Sequence, residues 1–141
     1  MKRNTLAILL VLLAMASPAH AEQTVVIVNA SNPTASMRKA DVARLFLKET
    51  ATWKNGDKVL PVDLDNRSRT RADFTREVHG RSVDAILAYW NQKMFSGADV
   101  PPPQKSSDRD VIEFVRTNPG AVGYVSASAP LQQVKVLRIV D

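Results

Sequence analysis

The sequence contains no cysteine and only two histidines among its 141 residues. The absence of cysteine excludes structural disulfides, thiolate metal sites and cysteine nucleophiles. His79 is the only histidine beyond residue 21, and one histidine without cysteine cannot supply the usual zinc ligands. We therefore expect neither a metal ion nor a cofactor.

Long apolar runs are also missing. The run over residues 6–16 is about half as long as the roughly 20 residues that a helix needs to cross a bilayer. Lys2 and Arg3 precede it, and Ala19-His20-Ala21 follows with the small-x-small pattern that signal peptidase accepts. We predict a signal peptide over residues 1–21, cleaved after Ala21, and a periplasmic protein.

The mature chain, residues 22–141, has the length of a single domain. Because Lys2 and Arg3 belong to the leader, 17 of the 19 basic residues remain against 14 acidic ones, a net charge of +3. This excess is too small to indicate a nucleic-acid partner. After cleavage, no membrane insertion is expected either.

Hydrophobic patterns along the mature chain alternate between strand and helix. Residues 24–29 form a β-branched run typical of a strand covered on both faces. Val42, Leu45 and Phe46 lie at helical spacing after Ser36, which we expect to cap that helix. The other predicted elements are a strand over 59–64, a helix over 69–79, helices after Ser82 and Ser107, and strands over 121–126 and 134–140. This order predicts an α/β domain with three layers and a mixed sheet.

The segment Asp65-Asn-Arg-Ser-Arg-Thr-Arg71 is a candidate anion site. It holds Arg67, Arg69 and Arg71 with the hydroxyls of Ser68 and Thr70, at a predicted strand-to-helix junction. The first amides of a helix lack internal partners and carry the positive end of its dipole. Guanidinium groups match two oxygens of a phosphate or carboxylate. The alternative is that Ser68 is only an N-cap and that the arginines form a solvated basic face.

Four blocks of the chain resemble, in order, the phosphate-binding periplasmic proteins of ABC transporters. They are residues 38–47, Trp53-Lys-Asn-Gly56 with Leu60-Pro-Val-Asp63, Arg67-Ser-Arg-Thr-Arg-Ala-Asp-Phe74, and Asn118-Pro-Gly-Ala-Val-Gly-Tyr-Val125. The resemblance implies a single lobe, the second, of a type II periplasmic-binding-protein-like fold. It also implies reversible binding of phosphate or a related oxyanion by Ser68, Thr70 and Arg71, and delivery to an inner-membrane ABC permease or sensor.

The chain departs from this family in two ways. Arg67 and Arg69 stand where the family loop has glycines, and Leu64 stands where it has an arginine. The new arginines can contact the anion through their side chains, or the site has been abandoned. One lobe also leaves the anion in water, so a homodimer or a partner protein would be needed to enclose it. The alternative function is an interaction or sensor-accessory module that has lost phosphate binding.

Catalysis is not expected from these residues. Ser68 and His79 lack the G-x-S-x-G elbow of hydrolases and are separated by a predicted helix of about 15 Å. Asp63 and Asp65 are paired carboxylates at a strand end, and charge balance with Arg67 or Arg71 is a simpler interpretation than a metal or acid–base pair. We therefore expect a binding protein and not an enzyme.

Overall fold

The computed structural model describes residues 23–141, so the predicted signal peptide and its cleavage after Ala21 lie outside the described residues. In that range no helix has the length and apolarity needed to cross a membrane. The elements are β1 (Thr24–Val28), β2 (Ser36–Arg38), α1 (Lys39–Phe46), β3 (Leu60–Pro61), β4 (Asp63–Leu64), α2 (Arg69–Phe74), a π-helical turn (Thr75–His79), α3 (Val83–Phe95), β5 (Gln104–Lys105), α4 (Asp108–Thr117), β6 (Ala121–Ser126) and β7 (Lys135–Val140).

The main sheet has five strands in the order β2-β7-β1-β6-β3. β1 is antiparallel to both β6 and β7, whereas β2 is parallel to β7 and β3 is parallel to β6. β4 and β5 form a separate parallel pair. The predicted mixed sheet is therefore confirmed.

Helices cover both faces of the sheet around β6. A Cβ atom built on Gly123 would lie 2.7 Å from Cγ1 of Val111, so this side of β6 faces α4. Tyr124, on the other side, stacks on Phe74 of α2 with ring centroids 3.8 Å apart and meets Phe46 of α1 at 5.6 Å. All six residues of β6 are buried. The three-layer arrangement follows the prediction.

Serine hydroxyls cap three helices. Ser68, Ser82 and Ser107 each accept a hydrogen bond from the backbone N–H three residues later, as their positions predict. The expected capping role of Ser36 is wrong. Ser36 lies in β2 opposite Arg138 of β7, and α1 begins at Lys39 without a side-chain cap.

Two predicted elements are interrupted in the structure. The expected strand over 59–64 divides at Val62, whose N–H donates to Val122, whereas the N–H of Asp63 donates to Pro103 next to β5. The chain thus passes from the main sheet to the small one.

The expected helix over 69–79 is α-helical up to Phe74 and π-helical up to His79. Gly80 then ends it with a positive φ of 62°, as predicted.

Replacing Gly123 by alanine should destabilise the domain. The added Cβ would lie 2.7 Å from Cγ1 of Val111 and 2.9 Å from Cγ1 of Val62, in a fully buried part of the core. Overpacking of this kind costs about 1–3 kcal/mol. Urea unfolding of Gly123→Ala should show that loss, whereas Gln132→Ala at an exposed position should unfold like the wild type. An unchanged midpoint for Gly123→Ala would contradict the close packing of α4 on β6.

Candidate functional site

The candidate site is the loop that joins β4 to α2. β4 and β5 are parallel and end at the same edge, and the loop starts there at Asp65. The loop is held by its own hydrogen bonds: Ser68 N–H donates to the Asp65 carbonyl at 2.9 Å, and Arg67 N–H donates to the Asp65 carboxylate at 2.9 Å. These bonds place Ser68 at the N-cap of α2.

Several donors at the start of α2 are uncommitted. Within residues 23–141, the backbone N–H groups of Arg69 and Thr70 have no hydrogen-bond acceptor, and the Thr70 hydroxyl has no partner. The Ser68 oxygen accepts from Arg71 N–H at 3.1 Å, which leaves the hydroxyl proton free to donate elsewhere. The loop can therefore offer amide and hydroxyl donors to one oxyanion.

Arg67 and Arg69 lie on the surface of this loop. Both residues are exposed, and in the described part of the chain neither guanidinium has a carboxylate within 4 Å. Neither guanidinium is therefore ion-paired, although the Asp65 carboxylate lies in the same loop and accepts from the Arg67 N–H. Long exposed side chains of this kind attract anions but are screened by salt.

Arg71 lies in the interior. Its side chain is 2 % exposed, and Nη1 donates to the Leu64 carbonyl at 2.9 Å and to Oδ1 of Asn66 at 2.7 Å. Nη2 is 3.7 Å from Oδ2 of Asp63, so the expected charge balance between Asp63 and Arg71 is present. Nε is buried without a partner in the described residues. The positive charge of Arg71 is thus neutralised inside the protein.

Asp63 and Tyr124 complete this internal cluster. The Tyr124 hydroxyl donates to Oδ1 of Asp63 at 2.9 Å and accepts from Leu64 N–H at 3.2 Å. Burial raises the pKa of Asp63, against the opposing effects of Arg71 and Tyr124. Burial, and then the Asp63 charge, raise the pKa of Tyr124 far above its usual range. Tyr124 therefore remains a neutral donor.

Asn66 and Gln104 belong to the same network but were not singled out from the sequence. Oδ1 of Asn66 accepts from Arg71 and also from Nε2 of Gln104, at 2.9 Å. Gln104 lies in β5, 38 residues along the chain. No local pattern connects the two residues, so only the parallel pairing of β4 and β5 reveals this contact.

The cavity next to the loop is unsuited to an anion. Its volume is about 520 Å³, and it is lined by the carboxylates of Asp65, Asp110 and Glu113 with one lysine, Lys105. The candidate anion site is therefore the surface of the loop at Arg67, Ser68 and Arg69, whereas Thr70, next in the chain, is buried at 9% exposed. Among the described residues, no group of three histidine, cysteine or acidic residues could hold a metal ion.

His79 ends the π-helical turn and packs edge-on against Phe74, with ring centroids 5.8 Å apart. Burial lowers the pKa of His79 to about 4, and the positive charges of Arg81 and Arg71 act in the same direction. At neutral pH the imidazole is therefore uncharged. In the described part of the chain, His79 makes no hydrogen bond, ion pair or ring contact with Ser68, Arg67 or Arg69, and it belongs to the packing beneath the helix.

Comparison with solved structures identifies the fold. An ABC-type phosphate transport receptor from Vibrio cholerae superposes with a TM-score of 0.67 at 18% identity, over 85% of this chain and 48% of the receptor. PstS from Borrelia burgdorferi gives 0.63 at 15% identity, over 84% and 47%. This chain has the fold of part of a phosphate-transport binding protein. The resemblance seen in the sequence is thereby confirmed at the level of the fold.

A third similar structure, from Clostridium perfringens, is described as a phosphate ABC transporter substrate-binding protein and contains bound phosphate. Its TM-score is 0.66 at 18% identity, over 84% of this chain and 45% of that one. The chain thus spans about half the length of these similar proteins. No protein-family model matches the sequence, and no curated protein matches it.

Acid should destabilise the protein through His79. The unfolded imidazole takes up a proton below about pH 6.5, whereas the folded one does so only near pH 4. Above about pH 6.5 the imidazole is neutral in both states and costs no stability. As the pH falls from there toward 4, only the unfolded chain takes up the proton, and the free energy of unfolding decreases by up to about 3 kcal/mol. Urea unfolding at a series of pH values should show a shallower decline for His79→Gln than for the wild type. Parallel declines for the two proteins would contradict the lowered pKa.

Proposed function

We propose that the chain is a periplasmic binding protein for inorganic phosphate or a related oxyanion, which it holds reversibly at residues 67–71. The observation that carries this proposal is the set of free donors at the start of α2: two amides and two hydroxyls beside two unpaired arginines. The fold, and the phosphate bound in one protein of that fold, support this choice of ligand.

In the proposed complex each residue has a separate role. The Arg69 and Thr70 amides and the Ser68 and Thr70 hydroxyls donate to the oxygens of the anion. Arg67 and Arg69 supply the attracting charge from the surface. Arg71 contributes mainly by fixing the loop, because its charge is shared with Asp63 and only Nε lacks a partner. Binding involves no covalent step, so no enzymatic activity is proposed.

The open surface limits the affinity. A micromolar complex requires about −8 kcal/mol, and hydrogen bonds to charged groups contribute about 1.5–3 kcal/mol each. Donors that remain in contact with water contribute less. Tight capture therefore needs a second surface over the loop, supplied by another copy, an ABC permease or a sensor.

The second candidate function is an interaction module without a phosphate ligand. One observation favours it: Arg71, expected to bind the anion, is buried and paired with Asp63. In that case Arg67 and Arg69 would contact carboxylates on the surface of a periplasmic or membrane-bound sensor. Phosphate titration separates the two functions.

Replacing Ser68 by alanine should abolish phosphate binding. The change removes one hydroxyl donor and disturbs the first turn of α2, where the free amides lie. Calorimetric titration of phosphate into the wild type should give heat that Ser68→Ala loses, and Arg69→Gln should weaken binding by about tenfold or more.

Ser82→Ala is the matched control, because Ser82 caps α3 with the same geometry as Ser68 caps α2. Each variant should lose about 1 kcal/mol of stability, but only Ser68→Ala should lose phosphate. Arg81→Gln, an exposed arginine outside the loop, controls for Arg69→Gln. A folded wild type that gives no heat with phosphate at up to about 10 mM, the weak range expected for an open surface, would exclude the first function and leave the second.

A further inference from the structure

β2 forms one edge of the main sheet, and its outer side is unpaired. On the inner side, the Arg138 N–H donates to the Ala35 carbonyl at 3.0 Å. Because Ser36 lies opposite Arg138 in the parallel register, the N–H and C=O of Ser36 point away from β7. Neither group has a hydrogen-bond partner among residues 23–141. This edge of the sheet can accept another strand.

A second unpaired stretch follows α1. Thr52 and Lys58 form an isolated antiparallel bridge, and its two hydrogen bonds, each of 2.9 Å, join the residues on either side of the pair. In a bridge of this type the N–H and C=O of Thr52 point away from Lys58. They too lack a partner in the described part of the chain. The structure therefore contains two short strand edges with free backbone donors and acceptors.

Both edges line the same cavity, which has a volume of about 600 Å³. Its lining comprises residues 33–38, Thr50, residues 52–54, and Asp41 and Leu45 of α1. We call this cavity the edge slot. Leu45 and Trp53 are only 1% and 5% exposed, so they offer an incoming group little apolar surface. Recognition in the edge slot therefore depends on backbone hydrogen bonds and charge, as in proteins that bind a peptide by adding a strand to a sheet.

The charge at the edge slot is positive. Its charged lining residues are Arg38, Asp41 and Lys54. The Asp41 carboxylate accepts from Arg38 at 3.0 Å and lies 3.5 Å from Nη1 of Arg44, so two arginines share one carboxylate. Lys54 is exposed and has no carboxylate within 4 Å in the residues that the structure describes. A strand that enters the slot should therefore carry a carboxylate.

A second copy of this chain does not meet this requirement at the edge slot. β2 has only three residues, so pairing two β2 edges would bring the Arg38 side chains of both copies close together. Glu49 and Asp57, the acidic residues on either side of 50–54, do not line the slot and leave its charge positive. The charge thus favours an acidic strand from another protein.

We propose that the edge slot binds an extended, acidic segment of another protein as an added β-strand, with its carboxylate beside Lys54. Adjacent residues of a strand direct their N–H and C=O groups to opposite sides. One residue of the segment can therefore pair with Ser36 and the next with Thr52, which makes four backbone hydrogen bonds. Neither residue belongs to the loop over 65–71, so this proposal does not depend on the proposed phosphate site.

The probe for the test is the acetylated and amidated pentapeptide Thr-Val-Glu-Val-Thr, whose residues apart from glutamate favour strands. Titrated to about 2 mM into the secreted, ¹⁵N-labelled protein, it should move the Ser36 and Thr52 amide protons downfield and slow their exchange by about tenfold or more. The same peptide with N-methyl groups on both valines lacks two backbone donors and should bind about tenfold more weakly or worse.

The charge requirement is tested by exchanging charges. Lys54→Glu should weaken binding of the glutamate peptide by about tenfold or more and should favour the peptide with lysine in place of glutamate. Lys58→Glu is the matched control, because Lys58 is also exposed and is the bridge partner of Thr52 but does not line the slot. It should bind both peptides within about twofold of the wild type.

Ser36→Pro tests the edge itself. It removes an N–H that points away from β7, so the main sheet keeps its hydrogen bonds and the variant should fold, whereas peptide binding should be lost. Amides of Ser36 and Thr52 that do not respond to the glutamate peptide overturn the proposal. Equal binding of the N-methylated peptide overturns it as well. Protection of these amides on concentrating the protein alone would assign the slot to a second copy and equally overturn it.

Discussion

The buried Arg71 guanidinium determines the course of the candidate loop. A guanidinium keeps its charge and needs partners for its donors when it leaves water. Leu64 of β4 and Asn66 of the loop accept from Nη1, and Asp63 offsets the charge beside Nη2, whereas Nε has no partner among the described residues. Removing one member of a buried ion pair costs about 3–5 kcal/mol, so the loop has little freedom to move away. The path from β4 into α2 is thus fixed from inside.

Much of the fold could be predicted because its signals are local. The β-branched run of β1, the serine caps of α2, α3 and α4, and the glycine after His79 each follow from a few adjacent residues. The short strands β2 and β5, and the division of the expected strand over 59–64 into β3 and β4, could not be predicted. These strands have two or three residues each and exist only because distant strands pair with them. A stretch that short has no measurable periodicity.

The residue types at the candidate site were predicted, but not which arginine would be buried. Arg67, Arg69 and Arg71 alternate along the sequence and look equivalent there. What distinguishes Arg71 is Asp63 eight residues earlier and Tyr124, which holds that carboxylate from β6. The contact between Asp63 and Tyr124 spans 61 residues, and only the assembled sheet creates it.

Different arginines determine the shape of the loop and its surface charge. Buried Arg71 fixes the course of the backbone, whereas exposed Arg67 and Arg69 provide the positive charge. The amides of Arg69 and Thr70 are rigid donors, whereas the charges of Arg67 and Arg69 lie in water. Any molecule that covers the loop would strengthen both contributions by excluding solvent. An anion held there would in turn favour the covering molecule, because coupling between two ligands is reciprocal. Under the proposed function, anion binding and docking of a partner would therefore be two limits of one linked equilibrium at this loop.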